Sequence, residues 1–175
     1  PELAKRVLGE IDRFGIDAAR LVLEITDAAL RAANDEIAAR NCAALGEAGI
    51  ALQLGGLGAA PLSAPDIRRL GIGRVRLDPF VIRQIDRDPD QHAVAAATLG
   101  FATSLGLESL ADGVGALTEL ASLADLGCAE AQGPLIAAPQ PIEDLPDWLI
   151  DYRARKAQNR DHPPGRIARQ AGGPA

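Results

Sequence analysis

Leu21–Thr26 reads LVLEIT, an apolar, partly β-branched run interrupted by one acid, Glu24. A run this short and this apolar predicts a buried strand. Upstream, Leu3, Val7, Leu8, Ile11 and Phe14 recur at helical spacing, and Gly15 supplies a stop. Downstream, the Ala-rich stretch Ala28–Ala48 predicts a helix ended by Gly49. The alternation then continues. Ile50–Leu54 predicts a strand broken by Gly55 and Gly56, and Ser63–Leu70 a helix with Ser63 as its N-cap. Arg74–Asp78 predicts a strand stopped by Pro79, followed by a helical turn at Phe80–Ile85. Gln91–Leu105 predicts a helix between Asp90 as cap and Gly106 as stop. Glu108–Ala111 and Cys128–Ala131 predict the last strands, with a helix at Ala116–Leu126 between them and another at Pro141–Ile150. Strands alternating with helices in this way imply an α/β fold in which helical crossovers join parallel strands. The two architectures that fit are an open doubly wound sheet and a (β/α) barrel. A complete eight-unit barrel takes about 250 residues. At 175 residues this chain would form a partial one, with open edge strands.

Composition narrows the function. Hydrophobic residues make up 47% of the chain and aromatics only 3%, so the core is built from Ala, Leu, Ile and Val. No run approaches the ~18 apolar residues of a membrane span. Net charge is −6, which argues against nucleic acid as a partner. The chain is read as soluble and cytoplasmic. The only cysteines are Cys42 and Cys128 and the only histidines His92 and His162, all far apart, so neither a zinc site nor a Ser–His–Asp or Cys–His nucleophile is expected. There is no Met and the first residue is Pro1, so the sequence reads as part of a longer or processed product. The expected domain is 1–152. Residues 153–175 form a basic segment (Arg153, Arg155, Lys156, Arg160, Arg166, Arg169) rich in Pro and Gly, expected to be a disordered tail.

In either architecture, function gathers at the C-terminal ends of the strands. Standing there are Glu24 and Asp27, then Gly55 and Gly56, Arg76 and Asp78, Asp112, and Gln132. An oxygen-rich rim with one guanidinium suits hard cations and phosphates. The turn LGGLGAA, Leu54–Ala60, lacks the GxxxxGK[ST] pattern, so it reads as a tight turn and not as a phosphate cradle. For Arg76 the plain alternative is an ion pair with Asp78 or Asp112.

Taken together, the rim segments resemble the EAL domain, a bacterial cyclic-di-GMP phosphodiesterase family. LVLEITD (Leu21–Asp27) matches L-E-L-E-[IL]-T-E, and Ala51–Asp78 is similar to the stretch from A-L-D-D-F-G-T-G to L-K-I-D. SLGLESLADGVG (Ser104–Gly115) matches S-L-G-L-x-V-[VI]-A-E-G-V-E, and LGCAEAQGPLIAAPQP (Leu126–Pro141) matches L-G-C-D-x-x-Q-G-Y-x-[FL]-[SA]-x-P-x-P. The resemblance covers Pro1 to about Ile150. It implies a partial or modified (β/α) TIM-type barrel of the EAL kind and metal-dependent opening of cyclic-di-GMP.

The departures bear on that activity. The E-A-L segment and the asparagine ligand strand would precede Pro1. The family's Asp-Asp pair falls on Gly55 and Gly56, its K-x-D lysine on Arg76, and the two glutamates of E-G-V-E on Asp112 and Gly115. Glycine brings no oxygen, and arginine cannot deprotonate as lysine can. The expectation is therefore a degenerate, inactive EAL-like domain acting as a regulatory or protein-interaction module. Glu24 and Asp112 would be vestigial metal residues, and Gly55, Gly56 and Gly115 lost acidic positions. Arg76, Asp78 and Gln132 are nucleotide-binding candidates. No cofactor is expected, with Mg²⁺ or Mn²⁺ required for any residual activity. The expected partners are cyclic-di-GMP, other signalling domains (GGDEF, PAS) or a second copy of the chain. A metal-free cyclic-di-GMP receptor and residual catalysis completed by an upstream half are the competing readings.

Overall fold

The computed structural model describes residues 2–26, 35–57 and 64–158. Helix α1 (Leu3–Phe14) ends on Gly15, whose φ of 62° closes the helix in the left-handed conformation glycine adopts without strain. A short 3₁₀ turn at Ala18–Arg20, with Asp17 accepting from the Ala19 N–H, leads into strand β1 (Val22–Thr26). Then follow α2 (Asp35–Glu47), β2 (Ala51–Leu57), α3 (Ala64–Arg69) and β3 (Arg74–Leu77). Next come α4 (Pro79–Ile82), α5 (Pro89–Ser104), β4 (Glu108–Ala111), α6 (Leu117–Asp125), β5 (Glu130–Ala131) and α7 (Leu145–Gln158).

The strands form one sheet in the order β1-β2-β3-β4-β5, and the pairs β1–β2, β2–β3 and β4–β5 are parallel. This order settles the choice between the two architectures. A doubly wound sheet reverses direction at a switch point, whereas a barrel wall adds every new strand on the same side. The observed order never reverses.

Contacts divide the chain into two compact units, residues 1–78 with 100–109, and 79–99 with 110–175. In the first, Leu52, Leu54 and Val75 project from one face of the strands into a core with Ile67, Leu70, Ile72, Cys42, Leu45 and Ala102. Leu77 on β3 is fully buried as well. In the second, Val81, Ile82, Ile85, Leu99, Val114, Leu123 and Cys128 are buried. Small and branched residues fill both units, as the scarcity of aromatics requires.

Several boundaries differ from the sequence reading. Gly55 and Gly56 do not break β2. The strand runs on to Leu57, and a register shift between Gly55 and Leu57 absorbs one residue as a bulge, with Gly56 at φ 75°. Asp90 is not the cap of α5. Asp88 is, its Oδ1 accepting from the N–H groups of Asp90 (2.9 Å) and Gln91 (3.3 Å). Pro79 opens a helical turn as well as ending β3, since its fixed φ suits a first helical position. Strand β5 begins at Glu130, and Cys128 and Ala129 form the irregular link between the turn at Leu126–Gly127 and the strand. Helix α7 starts later than expected and runs through Arg153 to Gln158, into the stretch assigned to the tail. Trp148 and Tyr152, one turn apart on α7, stack at 4.8 Å. Ser63, most of the turn after Gly56, the start of the Ala28–Ala48 helix and residues 159–175 lie outside the described residues.

Candidate functional site

The parallel register places the polar rim residues of the first unit on one face. Glu24 lies opposite Gln53, and Gly55 lies opposite Arg76. Because side chains alternate across a strand, Glu24, Gln53, Gly55 and Arg76 all point away from the face that carries Leu23, Leu52, Leu54 and Val75. Glu24 on β1 and Arg76 on β3 are separated by β2, so their backbones stand roughly two strand spacings, about 9.5 Å, apart. Their long side chains close that gap. Arg76 Nε donates to Glu24 Oε2 and Arg76 Nη2 to Glu24 Oε1, both at 2.7 Å. This is the two-bond fork that a guanidinium makes with a carboxylate. Gln53, buried on β2 between them, donates from Nε2 to Glu24 Oε2 at 3.0 Å.

Gly55 makes the crossing possible. A Cβ built there would overlap Glu24 Oε1 and come within 2.7 Å of its carboxyl carbon. The carboxylate thus lies over a position of β2 that has no side chain to exclude it. The Arg76 fork holds the Glu24 carboxyl below its ordinary pKa. Burial works against this shift, and the Gln53 bond adds to it. Asp78 stands half-buried at the end of β3. Another ion pair in this unit joins Arg74 Nη1 on β3 to Glu108 Oε2 on β4 at 3.0 Å.

The second unit brings together Asp112 and Gln132. Gln132 Nε2 donates to Asp112 Oδ1 at 2.9 Å. The backbone sets this pair. Gln132 N–H donates to Ala111 O (2.8 Å), Val114 N–H to Gln132 O (3.0 Å), and Leu135 N–H to Val114 O (3.1 Å). The two loops approach so closely that only glycine fits at 133, where a Cβ would run into the Val114 backbone. Gly115, at the position of the missing acid, is exposed, and its N–H donates to Glu119 Oε2 at 2.9 Å. The same oxygen accepts from the Ala116 N–H (3.1 Å), while Glu119 Oε1 accepts from the Gln84 N–H (3.2 Å). Glu119 therefore ties the start of α6 to the turn after α4. The sequence reading missed it, although an acid in a helix's first turn is a legible capping signal. Asp86, also missed, lies against the same helix. Its Oδ2 accepts from the Thr118 hydroxyl at 2.7 Å, and that bond lowers its pKa.

Of the sequence candidates, the structure joins Glu24 with Arg76 in one unit and Asp112 with Gln132 in the other. The fork on Arg76 comes from Glu24, two strands away. The donor set does not fit a divalent cation. Such a site needs several anionic oxygens, but both Glu24 oxygens are taken by a guanidinium, and Gly55 and Gly56 offer none. Among the described residues, no group of three or more His, Cys, Asp or Glu is arranged to hold a metal.

The sequence profile of the EAL domain matches residues 1–139. The chain is 30% identical over 169 residues to the cyclic di-GMP phosphodiesterase NbdA of Pseudomonas aeruginosa, a match covering 97% of this chain and 21% of NbdA. Among solved structures it superposes on the EAL domain of Mycobacterium smegmatis DcpA with a TM-score of 0.78 and 20% identity, covering 86% of this chain and 66% of that one. It also superposes on a MucR phosphodiesterase solved as a c-di-GMP complex, with a TM-score of 0.75 and 24% identity, covering 82% and 58%. The chain thus spans about a fifth of the length of the curated relative and roughly three-fifths of the solved ones. The non-reversing parallel sheet fits a partial (β/α) barrel, and the chain belongs to the EAL domain family.

Proposed function

We propose that this chain is a catalytically inactive EAL module of cyclic-di-GMP signalling, retained as a regulatory or protein-interaction domain. One observation carries the reading: the Glu24 carboxylate is folded over Gly55 into the Arg76 fork. The acid that would face a metal is neutralised by the protein's own cation, and Gly55 and Gly56 on β2 have no side-chain oxygens to replace it. NbdA is named as a cyclic di-GMP phosphodiesterase. The present rim keeps the framework of such a protein without its anionic ligand set. Its partners in this role are other signalling domains of the GGDEF or PAS kind, or a second copy of the chain. The cytoplasm is the compartment that fits this role, and no helix among the described residues is long and apolar enough to cross a membrane. Hydrolysis decides the matter. The full chain incubated with cyclic-di-GMP and either Mn²⁺ or Mg²⁺ should yield no linear dinucleotide by chromatography, and a time-dependent product would overturn the reading.

A second reading, a metal-free cyclic-di-GMP receptor, draws on Gln132. Its side chain is exposed and its amide is oriented by Asp112, an arrangement able to meet a base or ribose edge. Calorimetric titration of cyclic-di-GMP without metal separates the two readings. Heat supports a receptor, and its absence leaves the interaction module.

A further inference from the structure

The Glu24–Arg76 fork has a property that does not depend on any reaction. A guanidinium offers the same two parallel N–H donors to a carboxylate as to a phosphate, so one fork binds one of them at a time. In this protein the fork is already filled from within. The pair is open to solvent, with Arg76 20% and Glu24 32% exposed, so an anion can reach it. Glu24 is additionally held by the Gln53 amide, and as a tethered side chain it competes at a high effective concentration.

We propose that Glu24 is an intramolecular competitor for an anion site centred on Arg76, so that phosphate or a phosphodiester occupies the Nε/Nη2 edge of its guanidinium only by displacing the Glu24 carboxylate. Gly55 sets the latch, because the carboxylate rests where a side chain at 55 would stand. Two substitutions therefore open the site by different routes. Glu24→Gln removes the competing charge. Gly55→Ala leaves every charge in place and puts a methyl group within 2.7 Å of the present carboxyl carbon, driving Glu24 off the fork. Agreement between them would separate displacement of the latch from a change in net charge. The proposal does not rest on the chain being inactive.

The test follows the Arg76 Nε–H resonance of the ¹⁵N-labelled full chain during titration with inorganic phosphate. The signal is identified by its loss in Arg76→Lys. Both Glu24→Gln and Gly55→Ala should bind phosphate at least tenfold more tightly than the parent. Glu108→Gln, which removes the partner of Arg74 instead, should behave as the parent does. Equal response of parent and both variants, or an equal gain in Glu108→Gln, would overturn the proposal. If circular dichroism shows Glu24→Gln unfolded, Gly55→Ala decides alone. If both are unfolded, Glu24→Asp, one methylene too short for the same fork, carries the same expectation.

Discussion

Glu24 and Arg76 could be named from the sequence as rim residues, but their bond could not. It depends on β2 standing between them and on a two-residue register difference, and neither is encoded locally. Glycine at 55 read as a missing acid, whereas its structural consequence is the space it leaves. The lowered pKa of Glu24 has a definite sign. Its folded value lies below the ordinary 4.5, so the ion pair adds stability above the unfolded pKa and loses it as pH falls through the folded one. Urea unfolding of the parent should therefore give a free energy that declines as pH falls below about 4.5, with a shallower decline in Glu24→Gln. Asp86, lowered chiefly by the Thr118 hydroxyl, contributes in the same direction, and Asp86→Asn should flatten the acid limb further. Gly133→Ala meets the Val114 backbone and should cost about 1–3 kcal/mol, measured by the same denaturation.

The strands were the legible elements. Short apolar runs bounded by Gly and Pro located all five, because burial on the packed face leaves little choice of residue there. Their ends were less legible. Gly55 and Gly56 read as a break, but β1 pairs as far as Gly55 and β3 carries the pairing on through a bulge to Leu57. At Gly56 the positive φ makes the residue a requirement of that bulge, so Gly56→Ala should cost about 1–2 kcal/mol in a thermal melt. The cap of α5 was misplaced by two residues because Asp88 and Asp90 are chemically equivalent and only geometry distinguishes them. Leu77, fully buried at the end of β3, tests the packed face. Leu77→Ala should lose about 2–5 kcal/mol by urea denaturation.

Across the whole molecule, a sheet that never reverses its order distinguishes a barrel wall from a doubly wound sheet, a decision composition alone could not make. Acids outnumber bases 24 to 18, and the chain should not retard duplex DNA in a gel at physiological salt. A shift that disappears at high salt would contradict that. The vacancy at Gly55 also limits what the position tolerates. With Glu24 lying across it, any side chain at 55 must first displace a carboxylate that a guanidinium and an amide already hold. The glycine and the ion pair above it therefore depend on each other, and a change at one is felt at the other.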